Sequence, residues 1–297
     1  MSMVLAMLLA MAGPTKEQAK ELRPVKDSPT VQLDPNGAYI LLRSPAAVPI
    51  NLFRIAEPDE VQDYKARRAE ALAKAHAKWV KAHASWAKQY GYWKKDPQHN
   101  INPGEEPVEP TDASLNFPPI DQENLLAFGP FNRFAKEKGS STYLQRVWPG
   151  RYVVYGSVFV NPNGGAMGMC VCMGTIAFDA RPGEITDVGL VTTSNDPLIY
   201  PRMVESAKPE DVDGLRSGAI TMMRWTMPNS SLPVDPRLSA YKVVPAKFKS
   251  AGPVPNYYGV QVDRMTAIPG VLAYDRDKII DVAAQASATP PVASSGQ

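Results

Sequence analysis

Residues 74–94 consist of three consecutive heptads, KAHAKWV, KAHASWA and KQYGYWK. Aromatic or imidazole rings recur at positions a and d of each heptad, and lysines recur at position f on the opposite side. The ring-bearing positions, extended by one heptad, define an aromatic seam made of Leu72, His76, Trp79, His83, Trp86, Tyr90 and Trp93. This pattern predicts a helix whose seam packs against another surface, because bare apolar stripes of this size mark interfaces.

The composition around the seam predicts a helix over about residues 58–95. Ala, Lys, Arg and Glu dominate this stretch, and Pro58 followed by two acidic residues suits a first helical turn. Asp96-Pro97 ends the helix, because the residue before proline is driven out of the α region. At 1.5 Å per residue, such a helix is about 50 Å long.

Three interpretations of the seam differ in what it contacts. In the first, the seam packs on the chain's own β domain or on a second helix. In the second, His76 and His83 bind a metal ion, but they are about 10.5 Å apart along the helix, so only a dimer could bring them together. In the third, the basic helix binds nucleic acid or an anionic surface.

The segment after the helix argues against the third interpretation. Residues 64–95 contain nine Lys or Arg and one acid, whereas residues 104–123 contain six acids and no base. The nearest partner of the basic helix is therefore its own acidic, Pro-rich continuation, folded back along it. The net charge of +2 also lacks the basic excess of a nucleic-acid-binding chain, so we expect no nucleic acid.

Most of the remaining chain alternates as β-strands do. Strands are predicted at 38–43, 49–55, 143–147, 152–160, 169–178, 184–188, 257–265 and 271–282, the last one folded into a hairpin at Asp275–Lys278. The 29 prolines, about twice the usual frequency of roughly 5%, predict irregular connections. The predicted fold class is mainly β, an antiparallel β-sandwich with a long α-helical insertion (about 58–95) and Pro-rich irregular segments.

Two of these strands resemble those of a known family. Trp148–Gly156 reads WPGRYVVYG, and Thr175–Gly189 reads TIAFDARPGEITDVG. They are similar to the PG-x-Y and F-x-x-x-P-G-E strands of prealbumin-like (transthyretin or carboxypeptidase regulatory-like) β-sandwich domains, over about residues 142–192. Such domains occur in uncharacterised bacterial envelope proteins, so the resemblance implies that fold and carries no activity with it.

The chain divides into parts of different composition. Residues 1–12 form a short apolar run ending in small-x-small, typical of a signal segment, although no Lys or Arg precedes it. The other expected parts are a flexible N-terminus (13–30), one β-sandwich domain (31–56 and 124–283), an inserted helix with an acidic Pro-rich return (57–123) and a disordered tail (284–297).

The apolar run at the N-terminus favours export. No later run approaches the roughly 20 apolar residues of a spanning helix, so we expect no membrane span. We therefore expect a periplasmic or secreted protein of the bacterial envelope.

Cys170 and Cys172 lie close together in the stretch MGMCVCM. In a continuous strand they point to one face while Met169 and Met173 point to the other, so the four sulfurs cannot converge on one soft metal ion. Two small buried residues in a sheet face are the first interpretation, and a strained or intermolecular disulfide and a metal site are the alternatives. We expect no metal ion and no cofactor.

Catalytic signatures are absent from the sequence. It contains no Gly-x-Ser-x-Gly, His-Glu-x-x-His, Cys-x-x-Cys or P-loop pattern, so we expect no enzyme. The leading hypothesis is an exported structural or interaction protein of the cell envelope that binds a protein partner, or forms a homo-oligomer, through the seam. The alternative is a ligand-binding β-sandwich module for a glycan or a small apolar molecule, using Trp225, Tyr257 and Tyr258.

Overall fold

The computed structural model describes residues 22–45, 48–137, 140–161, 165–194, 222–229 and 232–288. These residues form two compact units, the helical insert (residues 56–123) and the β domain (residues 22–55 and 124–288). The chain is 35% strand and 22% helix, which confirms the mainly β class. The expected signal segment (1–12), residues 13–21 and residues 289–297 lie outside the described residues.

The helical insert contains one long helix, α1 (Pro58–Lys95), and one short helix, α2 (Ile120–Glu123). The bounds of α1 agree with the predicted helix. At its start, the backbone N–H of Glu57 donates to Glu60 Oε2 at 2.8 Å, and the Glu57 side chain accepts in return from the first turn. This capping box satisfies donors that a helix start leaves without partners. Residues 97–119, between the two helices, contain no helix or strand, and we call them the return segment.

The first sheet of the β domain is mixed. Its described strands are, in order across the sheet, β4 (Ala135–Glu137), β5 (Ser140–Val147), β1 (Ala38–Ser44), β9 (Ile185–Ser194) and β10 (Met222–Thr226), with β11 (Val243–Pro245) beside β9. Strands β1 and β11 run parallel to β9, and the other pairs are antiparallel. The expected purely antiparallel architecture is therefore wrong. Strands β1 and β9 are joined by a long stretch of chain and not by a hairpin, which permits parallel pairing.

The second sheet is also mixed. Across it run β3 (Leu125–Phe128), β2 (Ile50–Arg54), β6 (Gly150–Val160), β8 (Thr175–Ala180) and β12 (Lys249–Ala251), with β7 (Ala166–Cys170) beside β6 and β13 (Gln261–Val262) beside β7. Strands β7 and β13 pair in parallel. The strand predicted over 257–265 is reduced to the two residues of β13. A separate hairpin, β14 (Leu272–Asp275) and β15 (Lys278–Asp281), turns where predicted and is followed by α3 (Val282–Ala288).

The two sheets share one hydrophobic core. Its largest cluster draws on β1, β5 and β9 of the first sheet and on β2, β6 and β8 of the second. Strand β1 is buried on both faces, because Ile40 belongs to this cluster while Leu41 packs in another cluster with Leu144 of β5. A continuous apolar run such as 38–42 is typical of a strand that is covered on both sides.

Both ends of the described β domain have more structure than the sequence predicts. Within the stretch expected to be flexible, Val25 N donates to Leu144 O at 2.8 Å, and Pro24 forms a bridge with Gln145. At the other end, residues 284–288 of the expected tail belong to α3. Pairing with β5 accounts for the first difference, and the alanine-rich composition of α3 favours helix in the second.

Candidate functional site

The aromatic seam forms a continuous ladder of rings along α1. From His76 to Trp93, the centroids of consecutive rings are 5.4, 5.1, 6.0, 4.9 and 5.7 Å apart. Residues three and four apart lie on the same side of a helix, so the heptad spacing alone brings these rings together. Leu72 lies one heptad before Trp79 and is half-buried. The seven seam residues therefore share one face of α1.

The return segment runs antiparallel to α1 and covers the middle of the seam. The indole N–H of Trp79 donates to the carbonyl oxygen of Pro107 at 2.8 Å, and that of Trp86 donates to the carbonyl oxygen of Gly104 at 3.0 Å. An extended proline-rich chain makes no internal backbone hydrogen bonds, so its carbonyl oxygens are free to accept. The fold-back predicted from the acidic composition of this segment is confirmed.

The two histidines of the seam face carboxylates of the return segment. His76 Nε2 lies 3.1 Å from Glu109 Oε1, and His83 Nε2 lies 2.8 Å from Glu106 Oε1. In the tautomer that carries the proton on Nε2, each ring donates a hydrogen bond to the facing carboxylate. In the part of the chain that the structure describes, no group of three or more His, Cys, Asp or Glu residues could hold a metal ion. The contacts of His76 and His83 are with the carboxylates of Glu109 and Glu106.

The contacts between the two chain segments repeat with different periods. On α1 the two histidines are seven residues apart, as are the two tryptophans. Their partners on the return segment are three residues apart and run in the opposite direction. Seven helical residues rise about 10.5 Å, and three residues of an extended chain span roughly 10 Å. One heptad of α1 is therefore about as long as three residues of the extended return segment, so the two sets of contacts stay in register.

Beyond the seam, ion pairs hold both the return segment and α2. Arg67 donates two hydrogen bonds to Glu123, at 3.2 and 2.7 Å, and these raise the pKa of the Arg67 guanidinium. Arg68 lies 3.0 Å from an oxygen of Asp112, and this hydrogen bond lowers the pKa of the Asp112 carboxyl. Both arginines are partly exposed, so each pair fixes the position of the segment more than it stabilises the fold.

A ring contact completes this end of the helical insert. The Tyr64 hydroxyl donates to Pro118 O at 2.9 Å, and the Tyr64 and Phe117 ring centroids are 5.4 Å apart. Phe117 is half-buried, in a segment whose side chains are mostly exposed. The contacts of the return segment with α1 thus extend from Gly104 to Pro118.

The seam is covered only in part. No residue of α1 is fully buried, and Trp79, Trp86 and Trp93 are all half-buried. Towards the end of the helix, Tyr90 is 37% exposed and its neighbour Tyr92 is 53% exposed. Among the described residues, the hydrogen bonds between the return segment and the seam reach along α1 as far as Trp86.

Cys170 and Cys172 form a disulfide, and their Cα atoms are 5.1 Å apart. Strand β7 ends at Cys170 and the chain turns through residues 171–174, so the strand predicted over 169–178 is broken. Both side chains are buried, as the first interpretation has it, but they are joined and not free. The turn brings the sulfurs together, and the disulfide leaves no thiolate for a metal ion.

The aromatic residues of the ligand-binding alternative do not line one surface. Trp225 is only 5% exposed and donates to Val188 O at 2.6 Å within the shared core, so it presents no surface to a ligand. Tyr257 and Tyr258 are half-buried in a different cluster, with ring centroids 6.1 and 5.8 Å from that of Tyr155.

Comparisons with known proteins supply no relative. No family model, no curated protein and no solved structure matches the chain. Within the described ranges, no helix combines the length and the apolar character needed to cross a membrane.

Sequence reasoning identified the seam and left its partners in the return segment unassigned. A signal for them is present, because two sets of residues there recur at intervals of three. The first set is Gly104, Pro107 and Pro110, of which Gly104 and Pro107 accept hydrogen bonds from the tryptophans and Pro110 continues their spacing. The second set is acidic and consists of Glu106, Glu109 and Asp112. The interval of three residues matches one heptad of α1, because three extended residues and seven helical residues span similar lengths.

Proposed function

We propose that this chain is an exported structural or interaction protein of the bacterial cell envelope, with a β-sandwich domain and a helical insert that contacts a protein partner or a second copy. Nothing in the described residues or in the comparisons points to catalytic activity. The core shared by two sheets supports the sandwich. The resemblance of residues 142–192 to prealbumin-like domains of envelope proteins is in keeping with it.

The pairing of the seam with the return segment carries this proposal. Within the helical insert, the rings of α1 and the backbone of the return segment together hold a 38-residue helix. A long element that is stabilised by itself, and that keeps half-exposed aromatic side chains, is suited to contact another molecule.

Two features support export. The apolar run at residues 1–12 has the composition of a signal segment. The disulfide between Cys170 and Cys172 requires an oxidising compartment to persist, such as the bacterial periplasm or the cell exterior.

Removal of the helical insert tests its role. Arg54 N donates to Asn124 O at 3.2 Å, so the β domain can be closed by a short Gly-Ser linker in place of residues 56–123. We expect this variant to keep the unfolding transition of the β domain and to lose self-association or crosslinking to an envelope partner. If the full chain and the deletion variant show the same mass in solution and the same crosslinks in cells, the insert is not the contact element.

Cell fractionation tests the location. Expressed in a bacterium with its own N-terminus, the chain is expected in the periplasm or medium, beginning near Gly13 and with both cysteines protected from alkylation. A chain that stays in the cytoplasm with two alkylated cysteines contradicts export.

A further inference from the structure

The seam contains three copies of one ring pair, and the return segment holds two of them. The pairs His76–Trp79 and His83–Trp86 are followed by Tyr90–Trp93, whose ring centroids are 5.7 Å apart. In the first two pairs the indole N–H donates to a carbonyl oxygen of the return segment. Among the described residues, no acceptor is found for the indole N–H of Trp93.

The return segment leaves the seam before it reaches the third pair. Its register places Gly104 opposite Trp86, and three residues for every seven would place Ile101 opposite Trp93. Ile101 is 90% exposed, however, so its side chain does not pack on the seam. The third ring pair thus continues the seam beyond the part that the return segment covers.

We propose that Tyr90 and Trp93 bind an acidic, proline-containing extended segment of a partner protein, in the same way that the first two ring pairs bind the return segment. This inference rests on the proposed function of the helical insert as a contact element and names the chemistry of its partner. The mode is that of aromatic grooves that bind polyproline II, whose carbonyl oxygens are free and whose conformation costs little entropy to fix.

Three features of the third pair define the segment it accepts. Trp93 supplies a donor for a backbone carbonyl oxygen, as Trp86 does for Gly104. Tyr90 stands where the other pairs have histidine, so this position offers a ring face to a proline and does not require a carboxylate. Lys94 follows Trp93 directly, at position e beside the seam, and its exposed ammonium group favours an acidic residue in the bound segment.

A labelled peptide with the sequence of residues 103–112, PGEEPVEPTD, tests the proposal by fluorescence anisotropy with the full chain. We expect saturable binding that Trp93→Ala weakens by about tenfold or more, the range of an aromatic anchor residue. Tyr92→Ala is the matched control, because Tyr92 is a neighbouring exposed ring outside the seam. Trp93→Phe keeps the ring and removes the donor, so it is expected to weaken binding by less than Trp93→Ala. A peptide with its three prolines replaced by alanine is expected to bind more weakly.

Two results would overturn the proposal. If the peptide does not bind the full chain at millimolar concentration, the third pair has no such ligand. If Trp86→Ala abolishes binding and Trp93→Ala does not, the peptide only exchanges with the return segment. Circular dichroism of each variant shows whether α1 is intact, and alanine at these positions favours helix. Failure here leaves the insert-deletion experiment untouched, because a partner of other chemistry would still be lost with the insert.

Discussion

The indole nitrogen of Trp79 lies 2.8 Å from the carbonyl oxygen of Pro107 and donates a hydrogen bond to it. The acceptor belongs to the backbone, so the interaction selects an extended conformation and not a particular side chain. Seven residues later the indole of Trp86 makes the same contact with Gly104. The tryptophans thus fix the path of the return segment. His76 and His83 contact its acidic residues, Glu109 and Glu106.

Replacement of Trp79 measures this contact. Trp79→Phe keeps a ring but removes the donor, and we expect it to lower the free energy of unfolding of the helical insert by about 1 kcal/mol. Trp79→Ala also removes ring contacts, but the site is only half-buried, so the loss should fall below the about 3–5 kcal/mol of a core tryptophan. Chemical denaturation followed by the helical circular dichroism signal checks both values, with the deletion of residues 56–123 as the baseline.

Lys81→Ala is the control for these variants. Lys81 is exposed on the side of α1 opposite the seam, and its loss should change stability by no more than about 0.5 kcal/mol. Equal and small effects of Trp79→Ala and Lys81→Ala would show that the return segment is not held by the seam.

The register between helix and return segment makes a second prediction. One alanine inserted after Pro107 shifts the Glu109 contact out of phase with the Gly104 contact, so the segment cannot satisfy His76 and Trp86 at once. We expect a Glu-specific protease to cleave the return segment about fivefold faster, since loss of one hydrogen bond of about 1 kcal/mol raises the open population by that factor. The same insertion after Asn100, outside the paired stretch, should leave the rate unchanged. Equal acceleration by both insertions would exclude a fixed register.

The helix and its seam could be predicted because their signals are local. Heptad spacing places rings on one face, and Asp96-Pro97 ends the helix whatever the helix contacts. The acidic composition of residues 104–123 was enough to predict fold-back. The register of the return segment on α1 was not predicted. It depends on how the rise per residue of the helix compares with that of the extended segment, and neither segment alone contains this information.

The β domain shows the opposite limit. Continuous apolar runs predicted β1, β2 and β6 closely, whereas the strand predicted over 257–265 is only the two residues of β13. The parallel pairing of β1 with β9 joins residues about 145 apart in sequence, such as Tyr39 with Ile185, and turn residues encode only neighbouring strands. A strand over residues 169–178 favours two separate buried cysteines, whereas the turn at residues 171–174, which contains Gly174, joins them in the disulfide that was only an alternative.

A buried ion pair between β1 and β9 gives a third prediction. Arg43 donates two hydrogen bonds to Asp187, at 2.7 and 3.1 Å, and both residues are buried. Asp187→Asn keeps the shape and the contact with Gly189 N–H but leaves the guanidinium without a counter-charge. We expect a loss of about 3–5 kcal/mol in the free energy of unfolding of the β domain, measured by urea denaturation.

Glu184→Gln is the comparison for Asp187→Asn. Glu184 is partly buried but pairs with Lys242, whose side chain is 66% exposed, so solvent screens the pair and its loss should cost about 1 kcal/mol or less. If Asp187→Asn costs no more than Glu184→Gln, Arg43 gains enough solvent or other partners to remain charged without Asp187, and the pair is not what joins the two strands.

The hairpin β14–β15 gives a fourth prediction, in alkaline solution. Burial raises the pKa of the Tyr274 hydroxyl to about 12, and that hydroxyl donates to Met265 O at 2.8 Å. An unfolded tyrosine ionises near about 10, so between these values the folded state binds more protons than the unfolded state. The stability that the protonated Tyr274 hydroxyl contributes is then fully present below about pH 10 and is lost as pH rises towards about 12. The free energy of unfolding of the β domain, measured by urea denaturation at pH 9 and pH 11, should fall less in Tyr274→Phe than in the unsubstituted chain.

Burial also raises the pKa of Tyr39, Tyr155 and Tyr258, but these act in both proteins and cancel in the comparison. An identical fall in the two proteins would show that Tyr274 ionises as freely in the folded chain as in the unfolded one.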